Sequence, residues 1–392
     1  MPNRVTVTSS QSWFSRLASS IKSVVFGLLL FLVAFPLLFW NEGRAVKRAR
    51  SLTEGAGVVA SVSSEQVDPT NDGRLIHTTG FSKTEETLRD DTFGVSETGI
   101  KLVRDVEMYQ WQEHKSTEKQ TKLGGSEETT TTYEYSQDWD SRPIDSNGFH
   151  SPEGHKNPGT MPYETMTVTA QHVTVGAFDL SPTQVDLLRK SEPYGVQTLP
   201  SALGKTAQIH DGAIYIGANP SQPQVGDVRV RFRIVRPGPV SLVAQQTGST
   251  FSPYQTEAGG TILLLEEAIA SADVMFEAAQ TQNAIMTWIL RAVGFFAMLF
   301  GLSMMFNPIA VFGDVVPIVG SLLGAGVGLF ATLVAVFFSF ITIGIAWVFY
   351  RPLLGIALLL LAAGAIYALV HFTNGRKTSS MPPPIPPPVG AR

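Results

Sequence analysis

Between residues 292 and 374 the chain carries only two charged side chains, Asp314 and Arg351. No other feature constrains the fold as much. So long an apolar segment leaves water, and in lipid its backbone polar groups must be satisfied within helices. A helix crosses a hydrocarbon core of about 30 Å with about 20 apolar residues. The two charges divide the segment into uncharged runs over residues 292–313, 315–350 and 352–375. As one straight helix the middle run is about 54 Å long at about 1.5 Å per residue, more than one perpendicular crossing needs. It therefore tilts, or lays residues 315–319, with Pro317, along the interface. Arg351-Pro352 makes the turn into the last run, with Trp347 and Tyr350 as interfacial aromatics. A further uncharged run covers residues 23–41 and ends in Phe39-Trp40. It is longer than the apolar region of a signal peptide and lacks a small-residue cleavage site, so it reads as an uncleaved anchor. Pro36 is expected to kink its last turn.

The remainder is a different material. Residues 41–283 hold 21 basic and 32 acidic side chains, a net charge of −11, while the rest of the chain carries +7. An acidic block of this kind is a poor partner for nucleic acid, whose phosphates need basic surface. Only 16% of the whole chain is charged, below the roughly 25% of soluble domains. A purely soluble and a disordered chain are both excluded. There is no cysteine, hence no disulfide framework, thiolate zinc site or iron–sulfur cluster.

Within the block, residues 227–235 read DVRVRFRIV. Val228, Val230, Phe232 and Ile234 share one face, and Arg229, Arg231 and Arg233 the other. Asp211-Gly212 lies between AQIH and AIYI, the residue choice of a two-residue hairpin. Further strands are expected over residues 58–62, 75–81, 102–111, 129–135, 165–175, 240–246 and 261–265. Ser181-Pro182 starts a short helix, and residues 266–280 form a helix leading into the second span. Residues 138–162 read as a long surface loop, and the tail MPPPIPPP is a polyproline II stretch.

A search for chemistry finds no phosphate-binding loop, nucleophile elbow or HExxH. His150 and His155, with Glu153 between them, form a conceivable metal clip, against the simpler reading of a solvated loop. The row Arg229, Arg231 and Arg233 is a candidate contact for an anionic ligand; residues two apart on a strand lie about 6.6 Å apart on one face. Its competing role is pairing with carboxylates on neighbouring strands. Gly320, Gly324 and Gly328 recur every fourth residue and bare one helix face for close helix packing. No Asp, Glu, Lys or Arg sits in the centre of a span, which weighs against an ion pump or proton relay.

The segments Trp40-Asn41-Glu42-Gly43-Arg44-Ala45, Gly260-Thr261-Ile262-Leu263-Leu264-Leu265, Thr287-Trp288-Ile289-Leu290-Arg291-Ala292 and Trp347-Val348-Phe349-Tyr350-Arg351-Pro352-Leu353 resemble, in order and spacing, the transmembrane protein 43 (LUMA) family. The resemblance implies cytosolic tails and a central block in the lumen or periplasm. In animals it implies the endoplasmic reticulum and inner nuclear membrane, self-association, and contacts with lamins and emerin. It supplies no catalytic residue.

The reading is an α+β membrane protein with four transmembrane helices, one N-terminal and three C-terminal, and a mainly antiparallel β-rich domain between the first two. The expected segments are a cytosolic tail to residue 22, spans at 23–41, 285–307, 317–345 and 352–373, the block at 42–284, and a proline-rich cytosolic tail at 374–392. Six basic residues near the spans fall on each side, so charge does not orient the chain. The expected function is a non-catalytic scaffold of a membrane domain. It works as a homo-oligomer, with the bilayer and other membrane proteins as partners, and with no cofactor, metal or nucleic acid. The rivals are a lipid-acting membrane enzyme or accessory subunit, and a channel component. The compartment is a bacterial inner membrane with a periplasmic block, or the endoplasmic reticulum and inner nuclear membrane of a eukaryote.

Overall fold

A computed structural model describes residues 3–204, 206–353, 355–357, 360 and 364. Helix α1 runs over Trp13–Val58, about 69 Å at about 1.5 Å per residue. It is far longer than its apolar run, because RAVKRARSL beyond Gly43 is made largely of good helix formers. Ser12 caps its start by accepting from the Ser15 amide. Helix α2 is the short Pro182–Leu187, opened by a capping box between Ser181 and Gln184. Helix α3 spans Ala272–Gly313 behind the N-cap Ser271, and helix α4 spans Pro317–Tyr350. The expected helix at 266–280 thus starts later, since Leu264–Glu266 is a strand on the block's sheet.

Among the described residues three helices, α1, α3 and α4, are long and apolar enough to cross a membrane. The fourth expected span, residues 352–373, lies largely outside the described residues. α1 and α3 pack antiparallel along most of their length. Near one end a Cβ built on Gly27 would lie 2.6 Å from the Gly301 carbonyl, and one on Gly301 would lie 2.7 Å from the Gly27 carbonyl. Glycine is required at both positions because backbone meets backbone. Ala34, Leu38, Met298, Leu302, Ala331 and Ala335 form the bundle's own core.

The block is built from two main sheets. The larger has eight strands; its central path orders Arg4–Gln11, Glu127–Asp140, Lys101–Thr121, Val228–Val235, Ala213–Ile216 and Ala207–His210. The other has seven strands centred on Leu75–Lys83 and Pro239–Thr247. Ile76 and Leu242 of the second sheet share one core with Leu102, Val106, Val230 and Phe232 of the first. The strand Val228–Val235 follows its expected alternation: Val228, Val230, Phe232 and Ile234 are buried, Arg231 and Arg233 exposed, and Arg229 half-buried. The expected hairpin turn is present, with Asp211 at φ 50° and Gly212 at φ 72°, the positive values such a turn needs. The expected strand at 165–175 is two short strands, Met166–Thr169 and Thr174–Val175. A second core, with Leu52, Leu75, Val243, Ile262, Met275 and Phe276, fixes the far ends of α1 and α3 to the second sheet.

Two features depart from the sequence reading. Strand Lys101–Thr121 runs ten residues beyond the expected stop at Trp111 and pairs with Glu127–Asp140 as a long hairpin. And the N-terminal segment is not a free tail set apart from the block. Arg4–Gln11 adds to the hairpin as an edge strand, Arg4 opposite Glu134 and Gln11 opposite Glu127. The physical reason is Val5 and Val7 alternating with Thr6 and Thr8, β-formers whose partners are Tyr133 to Thr130 of the hairpin. The hairpin tip then meets the start of α1 and the α3–α4 turn. Arg16 donates to the Gly125 carbonyl at 2.6 Å and to Asp314 at 2.5 Å. The Gly124 amide donates to the Val315 carbonyl at 3.0 Å, and the Trp13 indole to the Val311 carbonyl at 2.9 Å. Both ends of the long helix are therefore held by the block.

Candidate functional site

The most concentrated buried chemistry lies where α1, α3 and α4 leave their apolar runs on the block's side. Glu42 directly follows the first run and its side chain is 1% exposed. A bare carboxylate there is costly unless paired and hydrogen-bonded. Arg291, at the matching level of α3, grips it with two bonds of 2.6 and 2.9 Å, a bidentate geometry that suits guanidinium to carboxylate. The Trp347 indole of α4 adds a third at 2.8 Å. The Arg291 guanidinium also lies over the rings of Trp288 and Trp347, 4.8 and 5.8 Å from their centres. One carboxylate thus ties three helices together.

A polar layer without a carboxylate follows on the next turns. Asn41 donates to the Thr287 carbonyl at 3.1 Å. Arg44 donates to Asn283 at 3.1 Å and to the Thr287 hydroxyl at 3.0 Å, and Asn283 donates to the Ala45 carbonyl at 3.0 Å. Farther along, Arg48 donates to the Thr261 carbonyl at 2.6 Å. Ser51 and Thr256 share a hydroxyl bond of 2.8 Å, and Glu54 accepts from the amides of Glu257 and Ala258. These bonds carry the helices into the loop at 256–262. Three of the four segments that carry the family likeness meet at Glu42, and the fourth joins α1 about two turns farther along at Arg48, which sequence order alone did not reveal. The available signal was a lone carboxylate and a lone arginine, each just outside an apolar run.

The residues singled out from sequence lie elsewhere. The row Arg229, Arg231 and Arg233 faces the acidic side of strand Lys101–Thr121. Arg229 and Arg231 both donate to Glu107, at 2.7 and 3.2 Å, and Arg233 donates to Asp105 at 2.6 Å. That hydrogen bond, against the opposing effect of burial, holds the Arg233 guanidinium above its ordinary pKa. Arg229 also covers the Trp139 ring at 4.4 Å. The row is spoken for by neighbouring carboxylates. Of the glycines, Gly320 abuts Asp314 of its own turn, a Cβ on Gly324 would touch only the Ala310 side chain at 4.0 Å, and Gly328 meets no described atom within 4 Å. A tight backbone-to-backbone contact between helices is instead made by Gly27 and Gly301, two positions not singled out.

In the loop carrying the histidine pair, His155 is buried while His150 and Glu153 stay exposed. His155 is 1% exposed, stacks on Tyr135 at 4.0 Å and 15°, and contacts the Ser151 carbonyl through Nδ1 at 2.9 Å. His150 stacks on Tyr133 at 4.2 Å. Burial, with the Tyr135 hydroxyl's bond to Glu113 second, raises the Tyr135 pKa. Among the described residues no group of three or more His, Asp or Glu side chains is placed to hold a metal ion.

The sequence pattern of the family described as Transmembrane protein 43 matches residues 108–352. The chain is 37% identical over 358 residues to human "Transmembrane protein 43", covering 88% of this chain and 89% of that one. It is 36% identical over 361 residues to the rat protein of that name, covering 89% and 90%. It is 29% identical over 357 residues to the Drosophila melanogaster "Transmembrane protein 43 homolog", covering 89% and 94%. No solved structure matches the chain.

Proposed function

The chain belongs to the transmembrane protein 43 family, and from that premise we propose a non-catalytic scaffold of a membrane domain that works as a homo-oligomer. The observation that supports this reading is the long hairpin. It reaches from the block to the opposite end of α1, and residues 114–120 on it are exposed and polar. Lipid-exposed sheet edges do not occur within hydrocarbon; such backbone is tolerated where protein or water shields it. The apolar surfaces of α1, α3 and α4 face outward to lipid, with Phe26, Leu29, Leu333 and Phe340 all exposed. A second copy placed hairpin to hairpin shields the polar strands and leaves the apolar faces in the bilayer. The open glycines, Gly324 and Gly328, offer a second contact between copies. The compartment follows the host: endoplasmic reticulum and inner nuclear membrane in a eukaryote, inner membrane in a bacterium.

The chain has no cysteine of its own, so single-cysteine crosslinking is clean. In membranes, Thr117→Cys should form a disulfide-linked dimer and Leu29→Cys should not. A dimer at Leu29 and none at Thr117 overturns the arrangement. The hairpin favours the channel reading over the lipid-acting enzyme as the runner-up, because gathered polar hairpins enclose water. Ion flux through liposomes holding the purified chain, lost on crosslinking at Thr117, is its test.

A further inference from the structure

Beside the buried Glu42 knot, the α1–α4 cleft opens to the outside as two adjoining cavities of opposite character. The one within the apolar layer has a volume of about 660 Å³ and is walled by Phe35, Phe39, Phe338, Ile341 and Ile345. The one above it, of about 440 Å³, is lined by Arg44, Lys47 and Arg50. Trp40 and Tyr350 border both cavities, so the aromatic pair marks the level where the slot passes from apolar to cationic. Arg50 continues into a neighbouring recess shared with Arg351.

These cations differ from the arginines that carry the Glu42 knot and the strand row. Arg291 has Glu42, and the row on strand Val228–Val235 has Glu107 and Asp105. Arg44, Lys47, Arg50 and Arg351 form no ion pair among the described residues. Arg44 Nε is buried without a hydrogen-bond partner. Arg50 reaches across to the Tyr350 carbonyl at 2.9 Å, which anchors it at the rim. Gly43 helps shape the slot: a Cβ there would lie 2.6 Å from Tyr350 Cζ, so a larger residue would make that ring shift away from α1. Unpaired cations gathered along one wall repel one another, and a nearby anion relieves that repulsion.

We infer that this cleft binds one anionic phospholipid, its phosphate among Lys47, Arg50 and Arg44 and an acyl chain in the slot below. Charge complementarity and depth select this occupant. Cations next to the end of a span meet lipid phosphates, at about 1 kcal/mol per Lys or Arg. The slot offers apolar walls where the chains lie, and interfacial Trp and Tyr sit at headgroup level. Soluble phosphate satisfies the cations but leaves the slot empty; a neutral lipid does the reverse. The inference needs only that the bundle sits in a bilayer, and stands whether or not copies associate.

The test is native mass spectrometry of the full chain in detergent, with equal amounts of dioleoyl phosphatidic acid and dioleoyl phosphatidylcholine. The wild type should retain phosphatidic acid about ten-fold more. Lys47→Ala and Arg50→Ala should each lower that retention about five-fold, while Arg231→Ala should not. Ile345→Trp fills the slot without touching charge, and should lower retention of phosphatidic acid but not binding of glycerol 3-phosphate. Equal retention of the two lipids overturns the inference, as does unchanged retention in both cation variants. So does glycerol 3-phosphate displacing the lipid at equal concentration, which assigns the cations to a soluble phosphate. A photo-crosslinker at Ile341 that captures phospholipid supports the site; capture of the chain's own residues 365–392, or of a second copy, overturns it.

Discussion

The Glu42 knot of the helical bundle and the arginine row of the β-rich block treat charge in opposite ways. In the block, the arginine row of strand Val228–Val235 keeps its ionic groups at the rim, although one pair, Asp90 with Arg104 at 2.8 Å, is buried. Arg231 pairs with Glu107 while remaining 53% exposed, and the shared interior is apolar, with Phe232 2% exposed. In the bundle the outer surface is apolar, and the strongest ion pair is internal, between Glu42 and Arg291. The difference teaches that burial sets the worth of a pair. A surface pair contributes about 0–1 kcal/mol, whereas breaking a buried one strands a charge at a cost of about 3–5 kcal/mol.

The contrast can be broken first at the block's core. Phe232→Asp removes a packed ring and buries an unpaired carboxylate, a loss above about 5 kcal/mol. It should unfold the block, seen as loss of near-ultraviolet circular dichroism and rapid proteolysis within residues 60–266. The bundle's knot comes next. Glu42→Ala leaves Arg291 without its partner and should cost about 3–5 kcal/mol. A lower melting temperature in detergent reads it, while the double change Glu42→Ala with Arg291→Leu should recover much of the loss. A single variant as stable as wild type would place the pair at the surface.

Helix packing gives a smaller effect. Gly301→Leu drives a side chain into the Gly27 carbonyl and the Phe31 amide and should lower stability by about 1–3 kcal/mol. Gly324→Leu meets only Ala310 at 4.0 Å. It should leave the melting temperature of the single chain near wild type and lower the yield of crosslinked dimer. If Gly324→Leu destabilises more than Gly301→Leu, the tight face has been misplaced. The smallest change is expected from Arg231→Ala, at most about 0.5 kcal/mol in chemical denaturation. A larger loss would show that the block too relies on its ion pairs.

Much of this was legible in the sequence wherever a period existed. The alternation in DVRVRFRIV and the turn pair Asp211-Gly212 specified a half-buried strand and a hairpin, because one face of each strand meets a core. The outer half of the long hairpin was not legible. EHKSTEKQT is polar on both faces, and its strand is defined by pairing with residues 127–135 rather than by burial. The N-terminal strand failed for a related reason: eight residues with few apolar side chains reveal nothing until a distant partner is known. Apolar runs located the spans but understated α1, since helix formers in water extend a helix as well as apolar residues in lipid. Glycine spacing showed where close approach is possible, not where it happens. Gly27 and Gly301 belong to no every-fourth-residue glycine row in their own helices, and only pairing the two helices brings them together. The Glu42 knot was hidden likewise, because its members come from three helices.

Helix α1 is clamped at both ends, by Arg16 against the hairpin tip and by Leu52 and Ser51 against the block. In mechanical terms it is a beam with two fixed supports, and such a beam can neither roll about its axis nor slide along it. The face it turns to lipid is set by the block. A bilayer that thins or thickens changes the tilt that a span of fixed length adopts. With both supports fixed, that tilt reaches the hairpin as a bending moment.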